Sequence, residues 1–232
     1  MIHFLLWLTL TRPGFSAPLV NWETELTKPM ETRIKTFRAN TREGAKFLRS
    51  VAFDSKKSLN LRWRAITTMG KWDTDSFAKE LEGALQSPEW YLRNAALIAV
   101  LNGDREWAIG HSVKSLSDAS LMVRTQAVRN LIGLDARETE TVIWKQIWDK
   151  RNFKGNQSLW IRAHLAEALA RFSARGHNRK AFERLILDHD TRIHRWAIMG
   201  LEKSTGWKLS DHREPTSVQR RKWLAGLGID RI

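Results

Sequence analysis

Apolar positions recur along this chain at helical spacing, and no stretch alternates in the manner of a strand. Leu92, Ala95, Ala96 and Ala99 fall at i, i+3, i+4 and i+7, one stripe on one face of a helix. Ser87-Pro88-Glu89 ahead of them is a start signal, with Ser as cap, Pro in the first turn and Glu near the positive helix end. Further amphipathic stretches lie at 76–85, 106–116, 138–148 and 179–187, set apart by turn signals such as Asn102-Gly103-Asp104 and Arg175-Gly176-His177-Asn178. The pattern predicts antiparallel helix pairs.

The pairs repeat. Five segments carry a basic residue, two variable residues, then a small or apolar residue opening a hydrophobic stretch. The basic positions are Arg62, Arg93, Arg124, Arg162 and His194, at intervals of 31, 31, 38 and 32 residues. The long interval holds a polar and basic insertion, 150–157, expected as an extended loop. One pair cannot bury its apolar face alone, so neighbours should stack into a continuous core closed by terminal caps. Residues 29–54 are expected to form the N-terminal helical cap, with Ile34, Phe37, Phe47, Leu48 and Val51 inward. Residues 206–232 are expected to form the C-terminal cap, its helix at 216–227 turning Val218, Trp223, Leu224 and Leu227 inward.

Over residues 55–205 this pattern resembles the HEAT-repeat family, including its bacterial HEAT-like branch. The resemblance implies an all-α fold, an α-solenoid of about five helix pairs. It also implies an Asp in the turn six residues before the basic residue of each second helix. Asp118 and Asp188 stand so before Arg124 and His194, whereas Lys56, Ser87 and Asn156 hold the places before Arg62, Arg93 and Arg162. Members of the family mostly act as curved scaffolds that bind proteins; a few bind nucleic acid, and one branch removes alkylated bases from DNA.

Composition narrows the chemistry. A chain of 232 residues is one large domain or two small ones. Zero Cys removes disulfide frameworks, Cys-ligated zinc, iron–sulfur clusters and cysteine nucleophiles together. A net charge of +14 points to an anionic partner or surface. The apolar run Phe4 to Leu10 is too short to cross a bilayer, and it suits the apolar region of a secretory signal. Gly14 and Ser16 form a small-x-small site, so residues 1–16 read as a signal peptide cut after Ser16, although no Lys or Arg precedes the run. The alternatives are a misassigned start and an apolar N-terminal arm packed on the first helices. Export, to a periplasm, is the expected localisation and the cytoplasm the alternative; no integral membrane span is expected in the mature chain.

Twelve Trp are unusual for this length, and Trp63, Trp90, Trp160 and Trp196 fall within three residues of the recurring basic positions. An aromatic and basic groove is one reading, with candidate residues Arg62, Trp63, Trp90, Arg93, Arg124, Trp160, Arg162 and His194. The other is structural: Trp fills gaps between helices, and the basic side chains bond turn carboxylates or carbonyls. Basic residues crowd the N-terminal cap (Lys28, Arg33, Lys35, Arg38, Arg42, Lys46, Arg49) and the last helix (Arg220, Arg221, Lys222), as solvated faces or as an anion-binding patch.

Asp188-His189-Asp190 with His194 offers metal donors at a spacing that matches no known site, and reads as a cap and turn. Gly-rich phosphate loops, G-x-S-x-G and H-E-x-x-H are absent from the sequence. No catalytic residue, metal or cofactor is therefore assigned. The expected function is a non-enzymatic scaffold that docks a protein partner or an anionic envelope surface or polymer. The alternative is a cytoplasmic nucleic-acid-binding protein, extending to an alkyl-base DNA glycosylase with an Asp beside Trp in the groove.

Overall fold

A computed structural model describes residues 20–229; the signal-like segment 1–16 lies outside them. Helices α1 (Trp22–Thr27) and α2 (Met30–Ala39) lead into five successive pairs. These are α3 (Thr41–Ala52) with α4 (Leu59–Trp72), α5 (Ala78–Leu85) with α6 (Trp90–Ala99), and α7 (Arg105–Ser115) with α8 (Leu121–Gly133). They continue with α9 (Glu140–Ile147) and α10 (Ile161–Phe172), then α11 (Arg179–Ile186) and α12 (Thr191–Thr205); α13 (Thr216–Gly226) closes the array. Each first helix packs on its own partner, and the second helices α4, α6, α8, α10 and α12 pack side by side as one layer. The fold is all-α and solenoid-like.

Local chemistry sets the helix starts. The Ser58 side chain accepts from the Leu61 N–H, Asp104 from Trp107 and Asp190 from Arg192, each satisfying a first-turn donor that has no partner within its helix. The second-helix layer is tight where glycine permits it. A Cβ on Gly70 would fall 2.4 Å from the Ala99 Cβ and 2.5 Å from its Cα, so α4 meets α6 backbone to side chain. Gly200 of α12 makes the same allowance for the Phe182 ring. Ile34, Phe37, Leu48, Val51 and Trp223 are buried as expected, and Phe47, Leu224 and Leu227 pack partly buried against the core.

Three expectations shift. Helix α6 begins at Trp90 rather than at a Ser87 cap, because the Ser87 hydroxyl accepts from the Glu89 N–H in a short turn before the helix. The insertion is not a plain extended loop: a 3-10 turn at Lys150–Asn152 is followed by a two-stranded hairpin, β1 (Phe153–Lys154) and β2 (Gln157–Ser158). Gly155, at φ +59°, takes the left-handed turn conformation that glycine adopts without steric cost. Lastly, α3 lies within the expected cap yet packs on α4 as the first helix of a pair, leaving α1 and α2 ahead of the array.

Candidate functional site

The recurring basic residues stand in the first turn of the second helices, where each arginine meets two turns, its own and the next. Toward its own side each bonds main-chain carbonyls. Arg62 Nε donates to Ala52 O at 3.3 Å; Arg93 Nη1 to Ser87 O and Pro88 O at 2.8 and 2.9 Å; Arg124 Nη1 to Asp118 O and Ala119 O at 2.8 and 2.9 Å. Arg162 Nε donates to Ile147 O at 3.0 Å, and His194 Nε2 lies 2.7 Å from Asp188 O.

Toward the next pair the arginines bond side chains. Arg62 donates to the Glu89 carboxylate at 2.9 Å and to the Tyr91 hydroxyl. Arg93 grips both oxygens of Asp118 at 2.7 and 2.8 Å, and Arg162 both oxygens of Asp188 at 3.2 and 2.6 Å. Arg124 finds no carboxylate there: its Nε donates to Asn152 Oδ1 at 3.1 Å and its Nη2 to Arg151 O at 2.7 Å. Asn152 in turn donates to Gln146 O at 2.8 Å, which an aspartate could not do. The result is a ladder that ties each pair to its successor.

Most of the ladder is withdrawn from solvent, with Arg93 partly exposed and Glu89 at the rim. Arg62, Arg124 and Arg162 retain 4%, 3% and 1% of their exposure, and His194 is buried. The insertion hairpin contributes to this cover, laying the Phe153 ring 4.3 Å from the Arg162 guanidinium carbon. Hydrogen bonds to Glu89 and Asp118 raise the pKa values of Arg62 and Arg93, respectively, while burial lowers that of Arg124. Burial works to raise the Asp118 carboxyl, but the bonds from Arg93 and the Ser120 N–H outweigh it and hold the group below the usual range. Burial pushes His194 down.

The aromatic members of the candidate set divide. Trp63 and Trp196 pack partly buried against the core. Trp90 and Trp160 each keep 47% of their surface in solvent. Two residues outside the candidate set stand at comparable places: Leu59, 58% exposed, and Met122, 43% exposed. All four lie two or three residues ahead of the ladder arginine, at the opening of α4, α6, α8 and α10. Trp160 is fixed on the neighbouring helix by a 2.9 Å bond from its indole N–H to the Thr125 hydroxyl. Trp90 meets Tyr91 edge to face. An apolar ridge therefore runs beside the ladder. On the turns next to it Lys56, Lys150 and Lys154 are exposed, with no ion pair among the described residues.

Other sequence candidates are occupied by the fold. Asp188 holds Arg162, and Asp190 holds Arg192 and the Ser158 hydroxyl. Within the N-terminal basic group Arg33 is buried with Nη1 on Leu26 O, rather than solvated, and Lys28 and Arg49 pair with Glu25 and Glu80. Among the described residues no helix is long and apolar enough to cross a membrane.

No family model and no curated protein matches the sequence. A crystal structure of an engineered protein is similar in fold, with a TM-score of 0.51 and 18% identity over 80% of this chain and 87% of that one. At that identity the likeness speaks for the helical architecture alone.

Proposed function

We propose that this protein is a non-enzymatic binding module of the HEAT-repeat kind, exported, whose apolar ridge docks an acidic protein segment bearing apolar side chains. The observation that carries the reading is the ridge itself: Leu59, Trp90, Met122 and Trp160 exposed at the openings of four successive second helices, two or three residues ahead of the ladder arginine. Scattered apolar residues on a surface need no explanation, but large apolar side chains exposed at the openings of four successive helices point to an interaction site. Packed helices lie about 9–10 Å apart, so four rungs span about 30 Å, the length of a helix of about 20 residues. Acidity of the partner follows from charge complementarity. Glu89 and Asp118, on the turns beside the ridge, are paired with Arg62 and Arg93, while Lys56, Lys150 and Lys154 form no ion pair among the described residues and the whole chain carries +14.

The test is site-specific photocrosslinking in the native host from position 122, with adducts identified by mass spectrometry. One discrete acidic protein is expected, lost in the Trp90→Ala/Trp160→Ala double variant. Adducts with nucleic acid, or adducts indifferent to the double variant, overturn the reading. Export is checked separately by sequencing the N-terminus of the native protein, with Ala17 expected as the first residue.

A further inference from the structure

The ladder changes character at its last rung. In the rungs of Arg62 and Arg162 the Nε atom holds the final carbonyl of the preceding first helix, Ala52 of α3 and Ile147 of α9. The Nη atoms then hold a carboxylate, Glu89 or Asp188. His194 is too short to repeat this, and reaches the Asp188 carbonyl alone. The missing guanidinium is supplied from elsewhere: Arg220 of α13 donates its Nε to Ile186 O at 2.8 Å, and Ile186 is the final residue of α11. Arg220 thus completes the carbonyl half of the rung.

The carboxylate half has no occupant among the described residues. Among the described residues Arg220 forms no ion pair, nor does its neighbour Arg221. Both instead line a cavity of about 740 Å³ between the α11–α12 turn and α13. Its other wall is apolar, made by Leu187, Leu224, Ala225 and Ile229. His194 and the exposed His189 also face it. The one acid in the lining, Asp188, is already neutralised by Arg162 and by the Asp190 N–H. Burial lowers the His194 pKa, and the nearby Arg220 charge adds to that effect against the opposing pull of Asp188 and Asp190, so Arg220 stands beside this imidazole at the cavity wall.

We propose that this open rung is a binding site for an amphipathic carboxylate, its head on the Arg220 guanidinium with Arg221 at the rim and its apolar body against Leu187, Leu224, Ala225 and Ile229. A planar carboxylate matches the fork of a guanidinium, and the rungs of Arg93 and Arg162 already hold one in that two-point manner. The cavity volume falls in the range of small-molecule sites with an apolar wall and a few convergent polar groups. The site is separate from the ridge and stands whether or not the ridge docks a protein.

The probe is decanoate, titrated into the full-length protein by calorimetry, beside decanol and acetate. Decanoate should bind at one site, with decanol and acetate each at least about tenfold weaker, since a charge-assisted bond and the apolar contact each contribute that much. Arg220→Gln should weaken decanoate about tenfold. Because that change also removes the bond to Ile186, Ala225→Phe is measured with it: it fills the apolar side, leaves the guanidinium in place, and should abolish binding. Decanoate binding no tighter than decanol, or binding that survives Ala225→Phe, overturns the proposal.

Discussion

Two positions less than one helical turn apart meet opposite fates in this molecule. At the basic position, Arg62, Arg124 and Arg162 are charged and buried; two or three residues earlier, Leu59, Trp90, Met122 and Trp160 are apolar and in solvent. The usual sorting is inverted, and the two inversions differ in kind. A buried guanidinium is tolerated because carbonyls of one turn and a carboxylate or amide of the next satisfy its donors together. That inversion is explained by the fold. The structure shows no role in the fold that requires Trp90 to be large or apolar, and the docking partner proposed above would account for the second inversion.

The sharpest way to break the comparison is Arg162→Ala. It leaves Asp188 with its charge and without its partner at a nearly buried site, and should cost about 3–5 kcal/mol in urea unfolding. Replacing both members, Arg162→Met with Asp188→Leu, should recover most of that loss, because desolvation of two charges is then no longer required. A double variant as unstable as the single one would mean that the ladder binds the pairs through more than charge. Next in size is Asn152→Asp. It offers Arg124 a carboxylate but sets an oxygen against Gln146 O, leaving a buried acceptor unpaired; a loss of about 1–3 kcal/mol is expected.

The pH dependence separates the two regions further. Asp118 has its folded pKa lowered, so the stability it contributes is present above the unfolded value of about 3.9 and is lost as pH falls through the folded one. Glu202 runs the other way: burial raises it, so its contribution is present below the unfolded value and lost as pH rises through the folded one. Thermal melts between pH 5 and pH 2 should therefore show a falling acid limb, and Asp118→Asn should flatten it. The ridge carries no titratable group and should leave that limb unchanged when altered.

The solenoid was legible because its signal is local. Apolar spacing, turn residues and a period near 31 are all written along the chain, and Ile34, Phe37, Leu48 and Trp223 fall where that spacing places them. The ladder was half legible. A spacing of six does recur, but what it delivers is a main-chain carbonyl, as Arg93 on Ser87 and Arg124 on Asp118 make plain. The side-chain partner lies 25 to 28 residues downstream in the next turn, which is why Arg93, with Ser87 six residues before it, is nonetheless fully paired. Leu59 and Met122 are not distinguished in the sequence because a single exposed Leu or Met is unremarkable there; only their exposure at the openings of successive helices gives them meaning. In the sequence Arg220 stands in a basic run that reads either as a solvated face or as an anion-binding patch, and nothing near it in the chain reveals that it takes the carbonyl His194 cannot reach.

The smallest expected change in stability is the one that most sharpens the contrast. Trp90→Ala removes a side chain that is half in solvent and whose indole N–H is not tied into the ladder, so unfolding free energy should move by about 0.5 kcal/mol or less. Trp160→Ala should cost somewhat more, because the Thr125 hydroxyl loses the indole donor while keeping its own bond to Leu121 O. Against a docked segment the order of importance reverses: a large aromatic buried at the centre of an interface commonly carries 2 kcal/mol or more, about thirtyfold in affinity. Urea unfolding beside the crosslinking yield from position 122 measures both quantities on one variant. If Trp90→Ala instead destabilised the protein by as much as Arg162→Ala, the tryptophan would be packing rather than waiting, and the two positions would share a single role in the fold.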